Sequence, residues 1–260
     1  MEGDSLSAAS ITDNLETHFI GQRVIYYPRL TSTMEVAKRE AARRGAAEGT
    51  VIVADEQTAG KGRLKRIWLS PRGNIALSVI LYPDVAYLPC LIMVASIAVV
   101  HSIEAVTGLK SQIKWPNDVL INHKKVAGIL IESEVKGNMV DFAVIGIGVN
   151  VNLRLSHFPD ISFTATSLSD ELGREVSRLD VIRQLLVEIE RLYLTLQTGG
   201  SIYEEWRDSL VTLGRRVRVK LGKTIYEGIA ESVTRDGSLL LRQQDGSLTK
   251  IVAGDITLCD

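Results

Sequence analysis

Cysteine is scarce in this chain of 260 residues: Cys90 and Cys259 lie far apart and form no C-x-x-C pair. That spacing suggests neither a disulfide framework nor a zinc ribbon, and it suits a reducing, cytoplasmic compartment. The four histidines, His18, His101, His123 and His157, show no metal-ligand spacing. No G-x-S-x-G elbow is present, so hydrolysis by an activated serine has no support. An excess of either charge is also missing, with 30 basic and 31 acidic residues and a net charge of −1. Such a balance argues against a general nucleic-acid binder, although a local basic loop can still hold a phosphate. The first ten residues have neither the basic nor the apolar segment of a signal peptide. The most apolar stretch, Leu88 to Val100, falls short of the roughly 20 residues that span a bilayer. His101 and Glu104 interrupt it, so a buried core helix is expected and no membrane partner.

What is present is an ordinary globular balance, 45% hydrophobic, organised by pattern. A short helix is expected around Asp13 to Phe19, then a strand Arg23 to Tyr27 stopped by Pro28. Ser32 and Glu35 carry the spacing of a capping box, opening a helix that Gly45 ends. Thr50 to Ala54 and Asn74 to Tyr82 read as strands, and Tyr87 to Val106 as a helix apolar on most faces, closed by Gly108. Val119 to Ile121, Lys125 to Glu132 and Met139 to Asn150 follow with tight turns, which implies an antiparallel meander without βαβ crossovers. Helices return at Leu179 to Leu196 and Ile202 to Leu210. From Arg215 the period changes to two, with hairpin signals at Asp236-Gly237 and Asp245-Gly246. These patterns give an α+β fold with a mixed, mostly antiparallel sheet, over residues 1–213. A small SH3-like barrel is expected over 214–260.

Two segments carry chemistry. Asp55 to Trp68 leaves a strand and becomes glycine-rich and basic, with Gly60 and Gly62 among Lys61, Arg63, Lys65 and Arg66. Such a loop suits an anionic ligand that the backbone can approach closely. Its like charges predict disorder until a ligand offsets the ordering entropy. Lys114-Trp115-Pro116-Asn117-Asp118 sets charged, aromatic, rigid and polar residues between two apolar elements. Pro116 fixes its own φ and holds Trp115 extended, so Lys114, Asn117 and Asp118 point in defined directions.

Two nucleotide motifs fail. Gly222-Lys223-Thr224 lacks the first glycine of a P-loop, since Val217 stands there, and it joins two strands as a hairpin turn. Gly60-Lys61-Gly62 has Lys65 where a dinucleotide fingerprint needs its third glycine.

In combination, Ser32-Thr33, Gln57 to Arg63, Trp68, Lys114 to Asp118, Lys125 to Glu132, Gly146 to Asn150 and Ala165 to Leu168 resemble biotin protein ligases. The resemblance runs from about residue 23 to 258 and implies a class II synthetase-like catalytic domain. It implies an enzyme that activates biotin with ATP and transfers it to a lysine of a biotin carboxyl carrier domain. By similarity Ser32, Thr33, Met34, Gln57, Lys61, Gly62, Arg63, Lys125 and Gly128 would bind biotin. Arg63, Arg66, Trp68, Lys114, Asn117 and Asn150 would bind ATP. Arg63, Lys125 and Asp118 would be catalytic, with Asp118 either placing Mg2+ or accepting the carrier lysine's proton. Three positions depart from the family pattern: Lys61 and Lys65 replace an arginine and a glycine of the loop, and Met34 stands where asparagine is common. About 20 residues precede the first strand, too few for a DNA-binding winged helix. A single-function ligase without a DNA partner is therefore expected, as a homodimer. The rival expectations are a lipoate ligase or lipoyl transferase of related fold, and a non-catalytic biotin or nucleotide sensor.

Overall fold

The structure, a computed structural model, describes residues 5–43 and 45–259. Helix α1 (Ala8–Thr12) opens the chain, earlier than the expected Asp13 to Phe19. Its place is fixed by Ser7, whose hydroxyl accepts from Ser10 N while Ser10 Oγ receives Ser7 N–H. Residues 18–20 are instead held by Glu190, whose carboxylate accepts three consecutive backbone N–H groups.

Seven strands form the main sheet: β1 (Val24–Tyr27), β2 (Val51–Ala54), β3 (Ile75–Leu81), β4 (Gln112–Lys114), β5 (Asp118–Ile121), β6 (Lys124–Lys136) and β7 (Met139–Val149). Their spatial order is β1-β2-β3-β7-β6-β5-β4. All neighbours are antiparallel except β1 and β2, which α2 (Thr33–Ala42) joins as one βαβ crossover. The expected meander of β5, β6 and β7 is antiparallel and the sheet is mixed and mostly antiparallel as expected, while the parallel β1–β2 pair itself was not foreseen. The loop from Tyr27 to Val51 leaves room for a helix, so the two strands need not form a hairpin. Strand β4 was not foreseen either, because three residues are too few to show a period.

Period-two alternation sends each strand to two faces. Val51, Val53, Leu77, Val79, Leu81, Ile145, Ile147 and Val149 enter the larger core. Helices α3 (Leu91–Thr107) and α5 (Arg178–Gln197) cover that side. Ile52, Ile80 and Val144 face the other way, against Met34, Val36, Ala37 and Ala41 of α2. The helical segment Val85–Thr107, α3 with the turn before it, is long and apolar enough for a membrane span by length and composition, but eleven residues of α3 are buried in the protein. It begins after a 3-10 turn, Val85–Cys90, and ends on Gly108 at φ 74°, a left-handed cap that suits glycine. Helices α4 (Leu168–Leu172) and α6 (Tyr203–Asp208) complete this part.

The C-terminal strands β8 (Arg216–Leu221), β9 (Thr224–Val233), β10 (Leu239–Arg242), β11 (Leu248–Ile251) and β12 (Asp255–Cys259) form a five-stranded antiparallel sheet, ordered β11-β10-β9-β8-β12. Gly222-Lys223 turns β8 into β9, as read from the sequence. Val217, Val219, Ala230, Leu239 and Leu241 join the larger core. The contact is specific at Trp115, fully buried, whose indole N–H donates to Gly237 O at 2.9 Å.

Candidate active site

The site begins as missing side chains. On β7, Gly146 and Gly148 alternate with core-facing Ile145, Ile147 and Val149, and Gly128 is their neighbour on β6. These glycines leave a trough on the α2 side of the sheet. A Cβ at Gly146 would run into Met34 Sδ, and one at Gly148 into the Trp68 indole. A Cβ at Gly128 would lie 3.1 Å from both Lys125 Cε and Trp68 Cζ3.

A cavity of about 140 Å³ occupies the trough, lined by Ser32, Thr33, Met34, Gln57, Lys61, Gly62, Arg63, Lys125 and Gly128 among others. All nine residues that resemblance assigns to biotin are thus brought together. The polar end is built on Gln57, whose Oε1 accepts Thr33 N–H at 2.8 Å and lies 3.2 Å from Thr33 Oγ1. Ser78 Oγ donates to Thr33 Oγ1 at 2.9 Å. Ser32 is fully buried, and its hydroxyl makes no hydrogen bond. Here the capping-box expectation fails: Ser32 stands at the N-cap but makes no side-chain cap. Glu35 turns to Thr31 and Lys61 instead. An unspent hydroxyl in a closed pocket is suited to a polar ligand atom.

A second cavity of about 740 Å³ adjoins the first, and Arg66, Ile67, Trp68, Asp118 and Lys125 line both. Lys114 and Asn150 face only the larger one. Asn150 is fixed by its own amide, which donates to Thr166 O at 3.0 Å. Asn117 lines the smaller cavity. The Trp68 ring stands between the two spaces, with Lys125 Nζ 5.3 Å from its centroid.

The basic loop is a small hairpin. Trp68 N–H donates to Gly60 O at 2.9 Å, and Gly62 N–H to Arg66 O at 2.8 Å. Its left-handed residues are Leu64 at φ 55° and Lys65 at φ 62°, so the strained turn falls on two side-chain-bearing residues. One of them is the lysine that departs from the family's glycine. Three of the loop's four cations are partnered: Lys61 with Glu35, Arg66 with Asp255 of β12, and Arg63 with the Asn117 carbonyl oxygen at 2.9 Å. Glu35 and Asp255 were not foreseen, and nothing in the sequence placed either beside the loop. The loop's root is held too, since Asp55 accepts from buried Arg178 at 2.9 Å and from Tyr26 at 2.8 Å.

Lys125 Nζ lies 2.6 Å from Asp118 Oδ1 at the wall shared by the cavities. Burial pulls the Arg63 guanidinium below its ordinary pKa, while Asp255 and Asp118 hold it up. Burial likewise lowers the Lys114 ammonium against the pull of Asp118. Cations thus converge where a small cleft meets a large one, an arrangement that can neutralise two anions brought together.

Comparison with known proteins agrees with this geometry. Residues 26–150 match the biotin/lipoate A/B protein ligase family, and residues 212–258 match the biotin protein ligase C terminal domain. The bifunctional ligase/repressor BirA of Bacillus subtilis is 40% identical over 259 residues, 97% of this chain and 79% of that protein. The chain belongs to the biotin protein ligase family. A biotin–[acetyl-CoA-carboxylase] ligase of Paracoccus denitrificans is 34% identical over 207 residues, 75% of this chain and 85% of that one. Among solved structures, the biotin protein ligase from Aquifex aeolicus in complex with biotin and ATP superposes with a TM-score of 0.76. It is 28% identical, and the match covers 92% of this chain and 99% of that one. The α+β fold with a separate antiparallel C-terminal sheet is that of the biotin protein ligases.

Proposed function

We propose that this chain is a biotin–[biotin carboxyl carrier protein] ligase, which joins biotin to ATP and then biotinylates a lysine of a carboxylase's carrier domain. The observation that carries the reading is the junction of two cavities at Lys125, Asp118 and the basic loop, in a chain of this family. In the first step a biotin carboxylate oxygen attacks the α-phosphorus and pyrophosphate leaves. In the second, the carrier lysine's amine attacks the acyl carbon and AMP leaves. Two anions must meet in the first step, so fixed cations and positioning should supply most of the acceleration.

Biotin would occupy the smaller cavity. Its fused rings would lie against Met34 and the glycine floor, with Ser32, Thr33 and Gln57 bonding the ureido end. Lys61 and Gly62 would close the loop over it, and Gly128 would leave room for the chain leading to the carboxylate. Arg63 and Lys125 would face the carboxylate and α-phosphate. Arg66, Trp68, Lys114 and Asn150 would take the nucleotide in the larger cavity, with Asn117 bordering the phosphates. Order of binding would be biotin, loop, then ATP.

Magnesium would arrive with ATP. Among the described residues no group of three His, Cys, Asp or Glu side chains could hold a metal, and the Asp118 carboxylate already pairs with Lys125. The ion would therefore rest mainly on phosphate oxygens and water, with Asp118 as the candidate side chain to place it. Asp118 would alternatively take the carrier lysine's proton.

The boundary between a catalytic unit, 1–213, and a C-terminal unit, 214–260, follows the change from helix α6 to hairpins. A homodimer would pair an edge of the main sheet, where β1 is one of two edge strands. The near-neutral charge supports a protein partner in place of DNA, and the two unpaired cysteines support a cytoplasmic setting. Biotin-dependent exchange of labelled pyrophosphate into ATP tests the activity. No exchange by folded protein supplied with magnesium would overturn it, and exchange with lipoate in place of biotin would move the substrate.

A further inference from the structure

We propose that Asn117 is a positioning residue: its amide aims the Arg63 guanidinium at the junction of the two cavities without neutralising it. The inference rests on the ligase reading above and assigns Asn117 a different task from a contact with ATP.

The geometry is a bracket. Asn117 O accepts Ile129 N–H at 3.0 Å, and Asn117 Nδ2 donates to Ile129 O at 2.9 Å. One residue of β6 thus holds Asn117 by both main chain and side chain. Because a carbonyl must be met by the NH2 end, the amide orientation is fixed, and Oδ1 is the atom left to face Arg63. Arg63 Nη1 donates to that oxygen at 2.9 Å. Arg63 is carried by the loop and Asn117 by the turn into β5, so the bond also fixes where the loop sits over the sheet.

The neutral acceptor matters. A guanidinium offers five donors in a rigid fork, and one bond to an amide leaves the rest for anions. A carboxylate here would also accept from Arg63, but it would lose the N–H donated to Ile129 O and cancel the charge that the reaction needs. The chain already supplies carboxylates to its neighbours: Asp118 to Lys125, Asp255 to Arg66 and Glu35 to Lys61. Arg63 has an amide as its hydrogen-bond partner. It is also the half-buried cation of the loop, where an unpaired carboxylate would exert its strongest effect.

The test compares Asn117→Ala and Asn117→Asp with the parent chain in biotin-dependent pyrophosphate exchange. The alanine variant should lose about 10- to 100-fold in kcat, as expected for a misplaced catalytic cation, with KM for ATP within about threefold. The aspartate variant should lose at least as much kcat, with its deficit growing as pH rises and the new carboxylate ionises. In parallel, NMR of the arginine side chains, with the Arg63 signal assigned by Arg63→Lys, reads the bond without any turnover. The Arg63 guanidinium should rotate freely in Asn117→Ala and slowly in the parent. This readout is valid only for variants whose amide spectrum remains that of the folded protein, and Asn117→Ser serves where alanine does not fold. An unchanged kcat with a raised KM for ATP would overturn the proposal in favour of a direct nucleotide contact. Unchanged Arg63 rotation would overturn it too. Absence of exchange in the parent chain would remove the ligase reading itself, and with it the task assigned to Arg63.

Discussion

Lys125 Nζ and Asp118 Oδ1 form a 2.6 Å ion pair at the wall common to both cavities. The pair aims a partly buried ammonium at the junction of the two cavities. Lys125→Ala should therefore slow formation of the adenylate by about 100-fold or more, the scale of losing one preorganised charge. Affinity for the carrier domain should change little. Single-turnover assays with and without carrier separate the two, and adenylation at the parent rate would remove Lys125 from the chemistry.

The glycine trough gives a second expectation. A methyl group at position 148 would collide with the Trp68 indole, and it faces the cavity side of β7. Gly148→Ala should keep the fold, since β-strand geometry suits alanine, yet displace Trp68. Biotin affinity measured by calorimetry should fall by about tenfold, or ~1.4 kcal/mol. An unchanged Kd would mean that Trp68 has room to yield.

Lys114 illustrates a site residue held at a cost. Burial lowers its pKa, so the folded state disfavours the charged form. The penalty is in force below the folded pKa and fades as pH rises through it towards the unfolded value. Lys114→Met should therefore stabilise the protein at pH 7 by up to ~1 kcal/mol, discounted for its partial exposure. The same change should weaken ATP binding by about tenfold, the scale of one charge-assisted hydrogen bond. Urea unfolding and nucleotide titration read the two effects, and a loss of stability would contradict the first.

Glu190 anchors the N-terminal segment. Burial pushes its pKa up, but N–H groups of Phe19, Ile20 and His18 outweigh burial and leave it below the ordinary value. A depressed carboxylate contributes stability above its unfolded pKa, about 4.3, and loses it as pH falls through the folded value. Glu190→Gln should cost roughly 2 kcal/mol at pH 7, by removing charge-assisted bonds. It should also flatten the fall in stability below about pH 4. Parallel urea curves for parent and variant at pH 7 and pH 3.5 check this; an equal acid sensitivity would exclude Glu190 as its source.

Much of the fold was legible because strands with a buried face announce themselves by period. The alternation of Ile145, Ile147 and Val149 with glycine was visible, and so were the turns at Gly222, Gly237 and Gly246. What stayed hidden was decided by distant partners. Ser32 reads as a cap in isolation, yet Lys61 and Thr31 draw Glu35 away and leave the serine hydroxyl free in the pocket. The segment 13–19 reads as a helix, yet Glu190, far along the chain, takes its N–H groups. The loop's cations read as mutually repelling, yet Glu35, Asn117 and Asp255 come from three other elements to meet three of the four. Arg178 behind Asp55 gave no local signal at all, because a buried ion pair depends on two segments finding each other.

Trp115 has a further meaning for engineering. It presents its backbone N–H to Thr212 Oγ1 and its indole N–H to Gly237 O, while Gly237 sits over Met93 and Trp206. The C-terminal unit is thus a lid on the largest side chains of the core, not an appendage on a tether. Cutting the chain at residue 213 would uncover an aromatic surface and leave an indole donor stranded, so a shortened product should clump and resist purification. Grafting a foreign C-terminal unit would succeed only if it brought a carbonyl and a glycine-tight turn to the same place.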